Sequence, residues 1–213
     1  MGFNFLIFDL DGTLIDSQND ITSAVNSVRR IYGLEYLPVK QVRSYLGDGV
    51  NALMDKAISE TKAMVKVEIL EKFKFYYRQY LTDTTVMYNG VREMLESLKN
   101  KKKAILSNKN EDFCYEIAKR LKISDYFVKV WGGDSISAKK PNPKPITDLI
   151  KLTNSDISKT VMIGDSANDF LAAKAAGIPS IAVLYGYSDL EQIQKYNPDF
   201  IAKTPQDIID IVL

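Results

Sequence analysis

A chain of 213 residues with 46% apolar and 26% charged residues is ordinary globular material, enough for one large domain or a core with a smaller partner. Lys+Arg 28 against Asp+Glu 27 leaves a net charge of +1, with no basic excess for nucleic acid or an anionic membrane. Histidine is absent, which excludes Ser-His-Asp triads and His-ligated zinc; the one cysteine, Cys114, cannot pair within the chain and fits a reducing, cytoplasmic setting. In chain order, Phe3–Phe8 is a short apolar run that predicts a buried strand. Asp9 and Asp11 interrupt it, so it does not read as a signal peptide, and no apolar stretch approaches the ~20 residues of a membrane span.

From Ser17 to Met87 the pattern is helical, with amphipathic segments at Asp20–Tyr32, Val39–Leu46, Val50–Ser59 and Val65–Tyr80 and no strand-like run. The last segment carries Phe73, Phe75, Tyr76, Tyr77 and Tyr80, read as a core-packing stripe. After it, short apolar runs at Lys103–Ser107, Thr160–Ile163 and Ser180–Val183 predict further strands. They alternate with helical patterns at Val91–Lys99, Glu111–Leu121, Pro143–Leu152 and Ala167–Ala176. Near-continuous apolarity suits strands covered on both faces, hence a parallel, doubly wound α/β sheet of Rossmann-like type. Residues 1–16 and 88–213 form the expected core, and residues 17–87 an inserted helical domain.

Four clusters carry the candidate chemistry. Asp9-Leu10-Asp11-Gly12-Thr13 offers two carboxylates, one able to attack phosphorus and one able to carry a proton. Ser107-Asn108 offers a hydroxyl and an amide for phosphoryl oxygens, although both residue types are also common in turns. Lys140 precedes Pro141, which restricts its backbone and favours it over Lys139 as a fixed positive charge. In Gly164-Asp165-Ser166-Ala167-Asn168-Asp169, two carboxylates open a helix, where they suit a cation, a helix cap or both. A phosphate dianion repels a carboxylate nucleophile. Their reaction needs a divalent metal, a fixed cation and hydrogen-bond donors, and these strand ends supply ligands for all three.

These motifs, in this order, resemble the haloacid dehalogenase superfamily of phosphohydrolases. The resemblance implies a Rossmann-like core with a helical cap. It makes Asp9 the nucleophile that becomes aspartyl-phosphate, Asp11 the general acid and then base, and Lys140 the charge that positions Asp9. Ser107 and Asn108 take the phosphoryl-binding position. Mg2+ would be held by Asp9, the backbone carbonyl of Asp11, and Asp165, with Asp169 helping directly or through water. An aspartate at position 11 favours phosphate esters over dehalogenase or phosphonatase chemistry.

Within the superfamily the chain is similar to the phosphoglycolate phosphatase-like group. The supporting segments are Tyr88-Asn89-Gly90-Val91, Asp125-Tyr126-Phe127, Gly132-Gly133-Asp134, Lys140-Pro141-Asn142-Pro143 and Tyr185-Gly186-Tyr187. Gly47-Asp48-Gly49 resembles that group's substrate-side loop, with Asp48 an added carboxylate that an acidic substrate would meet. The expected partner is a small phosphorylated metabolite, with no nucleic acid and no membrane, and the protein a monomer or homodimer. A β-phosphoglucomutase-type mutase, a pyrophosphatase or a nucleotidase of the same superfamily are the catalytic alternatives. A non-catalytic binding protein is the alternative from another class, disfavoured because every motif is intact.

Overall fold

The computed structural model describes residues 2–59 and 66–213. The chain divides into two compact units, Met1–Asp16 with Met87–Leu213, and Ser17–Val86.

The larger unit is built on a six-stranded parallel sheet. Its strands are β1 (Phe5–Phe8), β4 (Lys102–Leu106), β5 (Lys129–Trp131), β6 (Thr160–Gly164), β7 (Ser180–Val183) and β8 (Phe200–Ala202), in the order β5-β4-β1-β6-β7-β8. Every residue of β1, β6 and β7 is buried, which explains their unbroken apolar character. Flanking the sheet are α5 (Val91–Ser97), α6 (Glu111–Arg120), α7 (Lys144–Leu152), α8 (Ala167–Ala176), α9 (Leu190–Gln194) and α10 (Pro205–Val212). One apolar cluster joins Phe5, Ile7, Ala104 and Met162 of the sheet to Ile146 and Leu149 of α7 and Ala172 and Ala173 of α8. Gly177 ends α8 with φ 72°, a conformation glycine adopts without penalty.

Register decides where the chemistry lies. Phe8 stands opposite both Ile105 and Ile163, so Asp9, Ser107 and Asp165 emerge from neighbouring strands at one edge of the sheet. From β1 the chain proceeds to β4 and β5 on one side, then returns to β6 on the other. The switch point, where open α/β sheets hold their ligands, is therefore between β1 and β6.

The strands expected at Phe3–Phe8, Lys103–Ser107, Thr160–Ile163 and Ser180–Val183 are present within one or two residues at each end. The sequence pattern does not mark the edge strands β5 and β8: both are three residues long and partly exposed, without a continuous apolar run. Nor does it mark helices α9 and α10, although Thr204 caps α10 and Pro205 opens it.

In the smaller unit, helices α1 (Gln18–Ile31), α2 (Val39–Arg43), α3 (Val50–Ala57) and α4 (Lys66–Tyr80) follow the four amphipathic segments; Val65, assigned to the last, lies outside the described residues. The expectation of no strand fails at one place. Val86–Met87 is a two-residue strand, β3, in a two-stranded sheet with β2 (Ile15–Asp16). The aromatic stripe of α4 splits: Phe73 and Tyr77 are buried and stack at 5.5 Å, whereas Phe75 is exposed. Among the described residues no helix is long and apolar enough to cross a membrane.

Two buried charges make sharp tests. Asp20, in the first turn of α1, accepts from the amides and hydroxyls of Thr84 and Thr85 at 2.6–3.1 Å. Asp20→Asn is expected to cost about 2 kcal/mol, as lost charge-assisted bonds do, read as a lower urea midpoint. Lys103, buried in β4, donates to the carbonyls of Leu98 and Lys101, and burial pulls its ammonium down to about 8 from 10.5. Between those values the unfolded chain binds more protons than the folded one. Wild-type stability should therefore rise relative to Lys103→Met as pH climbs from about 8 to 10.5, measured by paired urea titrations.

Candidate active site

Asp9 follows directly from β1, and its amide donates to Ile163 O of β6 at 2.9 Å, which ties the two strands at the switch point. Gly12, three residues on, has φ 80°, and a Cβ there would collide with the Asp165 carboxylate. Only glycine therefore lets this turn close over Asp165. Gly164 and Gly186 face similar collisions, with Asp169 and with Asp165. The backbone thus packs against these carboxylates from three directions.

Carboxylate oxygens of Asp9, Asp165 and Asp169 lie within 4.8 Å of one another, and all three residues are buried. Lys140, 2% exposed, sits among them: its Nζ is 2.9 Å from Asp9 Oδ1 and 2.6 Å from Asp169 Oδ1. Asp169 uses its other oxygen on the start of α8, accepting from Ser166 N at 3.0 Å and Ser166 Oγ at 2.7 Å. Both oxygens of Asp169 are thus engaged, one with the lysine and one with the helix cap. Asp165 Oδ2 accepts from Tyr187 N at 2.7 Å. Asn108 donates to Lys140 O at 2.8 Å, so it braces the lysine loop against the end of β4, a task the sequence reading did not give it. Ser107 is buried, and its Oγ accepts from Lys109 N at 3.3 Å.

Asp11 is not part of the carboxylate cluster. Its Oδ1 is held by Lys109 Nζ at 2.5 Å, and both side chains are largely buried. Sequence reasoning missed Lys109. The signal was its place directly after Ser107-Asn108, where a lysine looks like an ordinary solvated charge. Tyr187, at the end of the Tyr185-Gly186-Tyr187 segment, holds Asp165 through its amide, and its hydroxyl lies 3.3 Å from Asp16 Oδ1. The Gly47-Asp48-Gly49 loop belongs to the smaller unit, where Asp48 Oδ2 pairs with Lys56 Nζ at 3.3 Å. Cys114 is buried and burial raises its thiol pKa, in keeping with a packing role.

The electrostatics follow from this crowding. Burial pushes the Asp9 carboxyl up to about 6; Lys140 pulls it down, while Asp169 and Asp11 push it further up. Burial, then Asp9 and Asp169, hold the Asp165 carboxyl well above the usual range. For Lys140, burial alone would favour the neutral amine, but Asp169 and Asp9 more than reverse it and keep the ammonium. Asp9, Asp165 and Asp169, when ionised, face one ammonium group, Lys140. A divalent cation cancels the remaining two negative charges. An all-oxygen donor set also suits a hard ion such as Mg2+, so the residues present fit one. What such a group can do is bring a phosphorylated anion against a carboxylate without repulsion.

Comparison with known proteins agrees with this chemistry. Residues 6–183 match the haloacid dehalogenase-like hydrolase family. A phosphoglycolate phosphatase of Neisseria meningitidis serogroup A is 37% identical, over 95% of this chain and 91% of its own. A phosphoglycolate phosphatase of Vibrio vulnificus strain YJ016 is 35% identical, over 98% and 95%. The crystal structure of a predicted phosphoglycolate phosphatase from Haemophilus somnus 129PT superposes with a TM-score of 0.94 at 29% identity, covering 99% and 98% of the two chains. The chain belongs to the haloacid dehalogenase-like hydrolase family.

The balance of charges at Asp9 is open to direct measurement. In metal-free protein its carboxyl carbon is expected to titrate near pH 6 by NMR. Asp169→Asn removes a repelling charge and leaves Lys140 to Asp9 alone, so the midpoint should move down; an upward move would contradict the assignment.

Proposed function

We propose that this haloacid dehalogenase-like hydrolase cleaves small phosphomonoesters, with a phosphoglycolate-like substrate, through an aspartyl-phosphate on Asp9. The observation that carries the reading is the placement of Lys140, whose single ammonium is shared between Asp9 and Asp169 beside Asp165 at the switch point. That arrangement fixes one carboxylate as a rigid nucleophile and keeps it ionised once a cation joins the site. The names of the relatives from Neisseria meningitidis and Vibrio vulnificus support the substrate class.

In this reading an Asp9 oxygen attacks phosphorus, and the bond from phosphorus to the ester oxygen breaks. Asp11, which enters the step protonated, gives that proton to the departing alkoxide. Water then attacks the aspartyl-phosphate, Asp11 takes the proton from that water, and the Asp9–phosphorus bond breaks to release inorganic phosphate. The Ser107 hydroxyl, oriented by the Lys109 amide, donates to a phosphoryl oxygen. Asn108 holds Lys140 in reach of Asp9. Asp9 and Asp165 would hold Mg2+ together with the Asp11 carbonyl, and Asp169, with both oxygens engaged, would reach it through water. When bound, the ion offsets the charge of the phosphate and of the carboxylates.

The test is release of inorganic phosphate from a panel of phosphorylated metabolites by purified protein. Asp9→Asn is expected to lower kcat by about three orders of magnitude or more, as loss of a nucleophile does. Chelation of divalent cations should abolish release and added Mg2+ restore it. Unchanged turnover in Asp9→Asn would refute the nucleophile, and an isomerised product without free phosphate would favour a mutase.

A further inference from the structure

The charge that the proposed cycle leaves unexplained is Lys109. Its ammonium is 2.5 Å from Asp11 Oδ1 and nearly buried, unlike a solvated surface lysine. The main chain beneath it is fixed. Lys109 O accepts from Gly133 N at 2.7 Å, Lys109 N donates to Ser107 Oγ, and a Cβ on Gly132 would collide with Lys109 O. Burying an ammonium and clamping its backbone costs stability, so such a charge is expected to serve a purpose at the site.

The two lysines divide the site between them. Lys140 lies against Asp9, on the side of the attacking oxygen, and bridges to Asp169. Lys109 lies against Asp11, which on the proposed reading gives its proton to the ester oxygen. An ammonium next to Asp11 is therefore on the side from which the alcohol leaves. A neutral alcohol gains nothing from a positive charge there. An alcohol that carries its own carboxylate one carbon away gains a charge-assisted hydrogen bond, and an ammonium has three N–H donors to distribute.

We propose that Lys109 is a specificity-determining residue, whose ammonium beside Asp11 binds the carboxylate of a phosphorylated hydroxy acid and so selects esters with anionic leaving groups over neutral ones. The inference rests on the phosphomonoesterase reading above and names the substrate class of that same site.

The experiment compares 2-phosphoglycolate with 2-hydroxyethyl phosphate, which replaces the carboxylate by a hydroxymethyl group of similar size. Wild type should prefer the carboxylate ester. Lys109→Met should lower the ratio of the two kcat/KM values by about ten- to hundredfold, the worth of one hydrogen bond between charged groups. The loss should fall mainly on KM for phosphoglycolate, and Lys109→Arg should recover part of it. Glycolate should inhibit wild type competitively and ethylene glycol should not. In Lys109→Met, inhibition by glycolate should vanish while inhibition by inorganic phosphate persists. Equal losses on both esters, or an unchanged ratio, would overturn the proposal. If Lys109→Met does not fold, the wild-type inhibitor pair still decides, since equal inhibition by glycolate and ethylene glycol would also overturn it. Asp9→Asn, run in parallel, separates the two claims: turnover in that variant sinks the nucleophile, whereas a flat ester ratio with an inert Asp9→Asn sinks only the role of Lys109.

Discussion

Everything at the carboxyl edge of the sheet depends on one buried ammonium. Lys140 is shared by Asp9 and Asp169, and each anion is itself built into the end of a strand or the start of a helix. A buried ion pair is poor evidence for stability, since desolvation of both partners offsets most of the attraction. Its value here is geometric. Burial first, and then the repulsion of carboxylates placed this close, pushes Asp9 and Asp165 towards the protonated form. One ammonium between two of them holds the cluster together without neutralising it. The residual negative charge is what makes the cluster attractive to a cation.

The parts of the fold that were legible in the sequence are those where burial is complete. Strands β1, β4, β6 and β7 are central, and each carries a run of buried apolar residues, although β4 opens on Lys102 and Lys103. Strands β5 and β8 close the two edges with one face and one side partly in solvent, so Lys129 and Phe200 carry no pattern that separates them from a loop. Helix α10 was marked by Thr204, Pro205 and Asp207, a local signal that periodicity over a short segment did not amplify. Site residues divide in the same way. Asp9, Asp165 and Lys140 stand at strand ends or before a proline, positions with a physical meaning. Lys109 has no such marker, because what distinguishes it is a partner 98 residues away in the chain.

Hydrogen bonds decide how the remaining groups are shared. Asp169 looks from its spacing like a second metal ligand, but Lys140 and Ser166 occupy its two oxygens. These contacts tie Asp169 to the lysine and to the start of α8. Asn108 looks like a ligand for phosphate and acts as a brace for the Lys140 loop. Both side chains are held by protein partners that the local sequence does not announce. Side-chain direction at a strand end depends on which neighbouring loop arrives there, and that is set by tertiary contacts rather than local sequence.

The clasp formed by Asp20 with Thr84 and Thr85 has a consequence for how such an enzyme changes over time. The clasp joins the beginning and the end of the Ser17–Val86 unit using that unit's own residues. Whatever the chain does between them, its two ends leave and return at a fixed separation. Lengthening the intervening segment then adds little closure entropy, about 0.6 kcal/mol for each doubling. A module with its mouth tied shut can be lengthened, shortened or exchanged while the host keeps its strand ends in register. Such a module can diversify without disturbing the strands of the unit that hosts it.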